Sequence, residues 1–164
     1  MELTLRPYQL QDADLLHRQL GLDSRMTRYT GWNPYATPES SATFVQECAA
    51  NHGKTSYSWI IEDDGQAVGV VGAYDVNQAH GTAELGYSVF CPYWGKGYAT
   101  CAARLALEEL RHSGLTEVSA WTATENKASA KVLEACGFKL MQVEPDELCV
   151  NGTTYEKATY QLQL

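Results

Sequence analysis

The stretch Glu84-Leu-Gly-Tyr-Ser-Val-Phe-Cys-Pro-Tyr-Trp-Gly-Lys-Gly-Tyr-Ala-Thr100 holds the residue types best suited to chemistry. An alternating segment, with Leu85, Tyr87 and Val89 on one face, runs into a loop holding Gly95 and Gly97. A helical pattern begins at once after that loop. The first turn of a helix leaves backbone N–H groups unpaired at the positive end of its dipole, which suits phosphate oxygens. Glycines let that backbone approach a ligand with no Cβ in the way. The dipole contributes only about 0.3–1 kcal/mol per charge in exposed settings, so several N–H bonds would carry most of the affinity. The same spacing also describes a tight strand-to-helix turn that binds nothing, and spacing alone leaves both readings open. Two phosphate motifs are excluded. GxxxxGK[ST] fails because Gly97 follows Lys96 and no glycine stands at the upstream position. GxGxxG fails at its third glycine, where Thr100 stands.

The elements that must hold this stretch follow from periodicity. Leu3 and Leu5 alternate inward in a short strand ended by Pro7. Asp12 reads as an N-cap for a helical stripe of Leu15, Leu16 and Leu20, closed by Gly21. Asp23 to Pro38 is a long loop with no steady period, carrying Tyr29, Trp32 and Tyr35, and is either functional or packed down. Pro38-Glu39-Ser40 opens a second helix to about Asn51. Strands over Tyr57–Glu62 and Ala67–Tyr74 flank Asp63-Asp64-Gly65, a hairpin signal, and a third strand spans Ala83–Phe90. The helix from Gly97 to Ser113 buries Ala99, Ala102, Ala103, Ala106, Leu107 and Leu110. Glu117–Thr122 is a strand, and Asn126 caps a helix to Cys136 with Gly137-Phe138 as its C-terminal signal. Ala158, Tyr160, Leu162 and Leu164 alternate in the last strand. The order β-α-α-β-β-β-α-β-α-β-β predicts an α+β domain spanning residues 1–164 around one mixed central sheet.

Composition narrows the class. At 164 residues, with 45% hydrophobic and 20% charged residues, the chain is long enough for one domain with a real core. Twelve basic against 20 acidic residues give a net charge of -8, which disfavours nonspecific nucleic-acid or anionic-membrane binding. The five cysteines have no CxxC spacing and no zinc-ligand pattern, so no metal is expected, and they read as free thiols of a reducing compartment. Met1 to Gln11 lacks the basic and apolar regions of a secretion signal, and no apolar run is long enough for a membrane span. A cytoplasmic location is the expectation. Asn151-Gly152-Thr153 matches a glycosylation sequon that means little without secretion. His17, His52, His80 and His112 are scattered, with surface or capping roles expected. Edge strands near the C-terminus leave monomer and homodimer open.

Trp94-Gly95-Lys96-Gly97-Tyr98-Ala99 resembles the acetyl-CoA pyrophosphate loop of the GNAT superfamily, [Q/R]-x-x-G-x-[G/A]. Trp94 departs at the first position, as it does in the branch similar to the ribosomal-protein N-terminal acetyltransferases. A second stretch, Asn126-x-x-Ser129-x-x-Val132-Leu133-Glu134-x-x-Gly137-Phe138, resembles the family's later helix element, and the two lie in family order. The resemblance implies the GNAT fold and acetyl transfer from acetyl-CoA to a primary amine. It implies that backbone N–H groups of Gly95, Lys96, Gly97, Tyr98, Ala99 and Thr100 hold the pyrophosphate. It implies that Val89 and Phe90 offer backbone groups to the pantetheine arm, that Asn126 bonds near it, and that Ser129 touches it. Lys96 either neutralises phosphate or is simply solvated.

Acetyl transfer needs a neutral amine and a protonated leaving thiolate. An α-amine near pKa 7.8 costs about 0.5 kcal/mol to deprotonate at pH 7.4, and a lysine near 10.4 costs about 4 kcal/mol. A general base therefore matters most for the more basic amine. Many family members carry an acidic tyrosine four residues before the Gly-Phe glycine, and here that position is Leu133. The resemblance points instead to Ser129 as the acid and to Glu84 as the base. It also places Trp32 and Tyr35 in the amine-pocket wall. A plain helix cap for Asn126, a solvated serine, a strand-end carboxylate and a packed aromatic loop are the bland alternatives. No cysteine stands beside a histidine, which agrees with direct attack by the amine rather than an acyl-enzyme. A noncatalytic acyl-CoA-binding domain is the rival reading, and Leu133 is its support.

Overall fold

A computed structural model describes residues 1–164. Strand β1 (Leu3–Pro7) is followed by α1 (Asp12–Leu16), which widens into a π-helical turn over His17–Gly21, and then by α2 (Pro38–Asn51). Strands β2 (Tyr57–Asp63), β3 (Gln66–Asn77) and β4 (Thr82–Val89) come next, then α3 (Tyr98–His112) and β5 (Glu117–Ala123). The chain ends with α4 (Lys127–Ala135), β6 (Lys139–Val150) and β7 (Thr153–Gln163). The element order is the expected one.

The seven strands form a single sheet in the order β1-β2-β3-β4-β5-β7-β6. Every neighbouring pair is antiparallel except β4 and β5. That parallel pair needs a crossover, and α3 supplies it. The hairpin from β2 to β3 turns on Asp64 and Gly65 at φ 50° and 77°, the two left-handed residues of a type I′ turn. Asn151 and Gly152, at φ 50° and 81°, make the same turn between β6 and β7. The Asn-Gly pair of the sequon-like Asn151-Gly152-Thr153 is thus a hairpin turn.

Each face of the sheet has its own core. On one, Trp59, Ile61, Val71, Leu85 and Val118 pack under α3 and α4. On the other, Ile60, Val70 and Phe90 meet Leu16, Leu20 and Val45 of the α1–α2 layer. The fully buried alanines Ala102, Ala103 and Ala106 let α3 lie close to the sheet, which fixes where its N-terminus points.

Asp12 is not the N-cap that its position suggested. It is the first helical residue, and its buried carboxylate takes a bidentate pair from Arg6, at 2.8 and 2.9 Å, and the Gln9 N–H at 2.7 Å. Arg6 also reaches Glu62 at 2.6 Å. Removing the guanidinium strands a buried charge, so Arg6→Leu should cost about 3 kcal/mol in a urea titration.

Candidate active site

The junction of β4 and β5 makes the site. The two strands pair only at Thr82–Glu117, Ala83–Val118 and Glu84–Ser119, after which they diverge. Leu85–Val89 and Ala120–Ala123 therefore face a wedge that passes through the sheet. Alternation places Leu85, Tyr87 and Val89 toward α3 and α4 and Glu84, Gly86 and Ser88 toward the α1–α2 layer. A cavity of about 520 Å³ fills this region, walled by both strands, α4, α2 and the aromatic loop.

At the far end of β4 lies the glycine loop. Gly95 and Gly97 have φ 74° and 82°, and Gly97 is the N-cap of α3 with no side-chain cap bond. The Trp94 N–H bonds Cys91 and the Cys101 N–H bonds Gly97, but no protein acceptor meets the N–H groups from Gly95 to Thr100. A Cβ on either glycine would meet nothing within 4 Å, so the backbone is open to a ligand there. This run of unpaired donors at a helix N-terminus fits a pyrophosphate. Tyr98 contributes only backbone, because its buried phenol donates to Asp63 at 2.5 Å. Lys96 is exposed, with its ammonium 5.6 Å from the Tyr93 ring centre. Trp94 shows what its departure from Gln or Arg does: the indole N–H donates to the Val89 carbonyl at 2.7 Å and ties the loop to the strand end.

Val89 and Phe90 use their backbone groups differently. The Phe90 N–H donates to Val68 at 2.9 Å, its carbonyl accepts from Tyr93 at 2.8 Å, and the Val89 carbonyl is the one taken by Trp94. Phe90 is thus tied within the protein, whereas Val89, opposite Gly69 at a non-hydrogen-bonded position, turns its N–H away from β3 toward the wedge. Neither lines the cavity, whose β4 wall is Glu84 to Ser88.

Glu84, Asn126, Ser129, Trp32 and Tyr35 all line the cavity. Half-buried Glu84 has its carboxyl pushed above the ordinary range, chiefly by burial and then by Asp75, with Lys157 opposing. Asn126 is the N-cap of α4, its Oδ1 accepting the Ser129 N–H at 3.3 Å. Both of its readings therefore stand on one side chain that caps the helix and faces the cavity. Leu133 is buried and also lines the cavity, so no phenol arises from the usual position.

A different tyrosine, missed in the sequence, stands beside Ser129. The Tyr87 hydroxyl lies 3.0 Å from Ser129 Oγ and donates to the Ser129 carbonyl at 3.1 Å. Burial pushes the Tyr87 phenol up to about 12, with the Ser129 bond opposing. A phenol that weak serves as a hydrogen-bond donor rather than a source of free protons. The available signal was a tyrosine in the core-facing register of β4, since a buried phenol needs a partner. Tyr74 was also missed. Its ring lies over Gly86, where a Cβ would come within 2.9 Å of the ring, and burial pushes its phenol up to about 12.

The aromatic loop is stitched to the end of the first helix. His17 Nδ1 lies 2.7 Å from the Tyr35 carbonyl, and Asn33 Nδ2 donates to Gly21 at 3.0 Å. A Cβ on Gly21 would fall 1.8 Å from that carbonyl, so the close approach requires glycine. Phe44 of α2 meets Trp32 and Tyr35 edge-on, each at 5.3 Å.

The model of the acetyltransferase (GNAT) domain family matches residues 2–139. The chain belongs to the GNAT acetyltransferases. Among curated relatives, the uncharacterized N-acetyltransferase YoaA of Bacillus subtilis (strain 168) is 29% identical over 164 residues, spanning 98% of this chain and 92% of its own. Spermidine N(1)-acetyltransferase of Escherichia coli (strain K12) is 28% identical, covering 90% of this chain and 78% of its own. Among solved structures, the ribosomal L7/L12 α-N-protein acetyltransferase RimL, in complex with coenzyme A, superposes with TM-score 0.91 at 19% identity, covering 99% and 94% of the two chains. At that identity the likeness speaks for the GNAT fold. Membership makes this chain an N-acetyltransferase with acetyl-CoA as donor. The unpaired N–H groups from Gly95 to Thr100 fit the donor's pyrophosphate. No helix is long and apolar enough to cross a membrane.

Proposed function

We propose that this GNAT enzyme acetylates a primary amine, either a protein N-terminal α-amine or a small molecule, by direct attack within a ternary complex. The observation that carries the reading is the wedge between β4 and β5. It sets Glu84 toward the α1–α2 layer and the Tyr87–Ser129 pair toward α4, both on the same cavity. An acceptor entering from the aromatic loop would meet Glu84. The thioester end of the donor, anchored at Gly95–Thr100, would meet Ser129.

In this reading Glu84 takes the amine's proton, directly or through water, and its raised pKa makes it a better base than an ordinary carboxylate. Ser129 donates a hydrogen bond to the departing sulfur, held in place by Tyr87 and by the Asn126 cap. Asn126 also offers its amide N–H₂ to the donor's arm. The Tyr87–Ser129 pair supports turnover over the noncatalytic alternative, because the Ser129 hydroxyl that Tyr87 holds in place supplies the donor that Leu133 lacks. Serine and tyrosine acting as one unit predict non-additive mutants. Ser129→Ala should lower kcat about 10- to 100-fold, Tyr87→Phe less, and the double variant no further than Ser129→Ala alone.

The experiment is thiol release from acetyl-CoA by purified protein against N-terminal peptides, polyamines, amino acids and aminoglycosides. Acceptor-dependent release supports the reading. Tight acetyl-CoA binding with no release from any acceptor would replace it with the noncatalytic one.

A further inference from the structure

We infer that the acceptor is a monoamine bearing an aromatic or bulky aliphatic group within a few carbons of its nitrogen, and not a polyamine. This rests on the transferase reading above. Of the 24 residues lining the cavity, 14 are hydrophobic and Glu84 alone is formally charged at neutral pH. One ammonium therefore finds one carboxylate. A polyamine would bring further ammonium groups into the same space, where each would shed water with no second carboxylate lining the wall to meet it. Asp75, the nearby carboxylate that acts on Glu84, is not among the residues lining the cavity. The Lys157 ammonium stands 5.5 Å from the Trp121 ring centre, so that wall already has its cation.

The remaining walls suit an apolar body. Trp32 is 61% exposed yet braced edge-on against Phe44, at 5.3 Å and 87°. A large exposed ring held in one orientation presents area for a ligand to cover. Tyr35 adds ring surface rather than a polar handle, because its hydroxyl is paired with that of Tyr8 at 2.8 Å. An aromatic face also attracts an ammonium, but more weakly than the loss of its water costs. At about 520 Å³, shared with the thioester end of the donor, the cavity admits a short body.

The amine can come from a free molecule or from the first residue of a peptide, and the chemistry recognised is the same. The test measures kcat/KM by thiol release with 2-phenylethylamine, a peptide beginning with phenylalanine, a peptide beginning with serine, and spermidine. Either phenyl-bearing amine should exceed spermidine by about tenfold or more, one such group being worth that much binding. Turnover of the peptide alone would assign the source to protein N-termini, and turnover of the free amine to small molecules. Trp32→Ala should raise KM for the phenyl-bearing amine about tenfold with the KM for acetyl-CoA unchanged. Spermidine as the better substrate, or a Trp32→Ala enzyme with unaltered amine KM, would overturn the inference and leave the transferase reading standing. No release with any amine would defeat both.

Discussion

Glu84→Gln is expected to lower kcat/KM for an amine acceptor by about 10²- to 10⁴-fold, the usual worth of a general base. Acetyl-CoA binding, measured by calorimetry, should be unchanged, because the glycine loop lies at the other end of β4. The wild-type kcat/KM should fall as pH drops through an acidic limb lying above the ordinary carboxylate range, and Glu84→Gln should erase that limb. The stability effect runs the other way. Burial raises the Glu84 pKa, so the native state holds this proton more tightly than the unfolded chain does. Its contribution is fully present below the unfolded pKa and is lost as pH rises through the folded one. At neutral pH the ionised carboxylate does not help folding, and Glu84→Gln should leave Tm unchanged or slightly higher. A residue kept for structure would show the opposite pattern: activity preserved and Tm lowered.

Gly97→Val should weaken acetyl-CoA about 100-fold, an amount equal to losing one or two charge-assisted hydrogen bonds. Gly97 sits at φ 82°, a region that a β-branched residue occupies only with strain of about 1–3 kcal/mol. No protein atom lies within 4 Å of the added Cβ, so the cost arises in the backbone rather than from a clash. Rotation out of the left-handed region would relieve it, and would re-aim the unpaired Gly97 and Tyr98 N–H groups. Circular dichroism should show α3 intact, its alanine face being still buried. Lys96→Ala is the contrast. An exposed ammonium is worth about 0–1 kcal/mol, so affinity should change no more than a few-fold if the backbone does the holding.

What the sequence made legible was local. Asp64-Gly65 specified a hairpin because a two-residue turn demands left-handed backbone at both positions. Asn126 and Gly137 marked the ends of α4, and the Gly137 and Phe138 N–H groups do close it on Glu134 and Leu133. The glycine loop could be read because strand, turn and helix are contiguous. What stayed hidden was nonlocal. No periodicity announces that β4 and β5 share only three residue pairs, because that depends on the register of strands joined by a whole helix. Tyr87 and Ser129 are 42 positions apart, and their bond exists only once the wedge is built. Asp12 looked like a cap because helix starts favour its residue type, yet Arg6 across the strand end had the stronger claim. The bonds that occupy Phe90 and the Val89 carbonyl are likewise invisible without the β3 register and the fold of the Trp94 loop.

The short β4–β5 seam also bears on how the molecule comes apart. Strands β1 to β4 and strands β5 to β7 each close by antiparallel neighbours, and only three residue pairs join the two groups within the sheet. Such a seam is the natural place for a partial opening that leaves each half folded, well below the free energy of global unfolding. A donor lying in the wedge, touching both halves, would act as the missing stretch of seam. Native-state hydrogen exchange should then show protection gained first at Leu85–Ser88 and Ala120–Thr122 when acetyl-CoA is added. A ligand in the gap would thus add to the cohesion that the shared core under α3 and α4 already gives the two halves of the sheet.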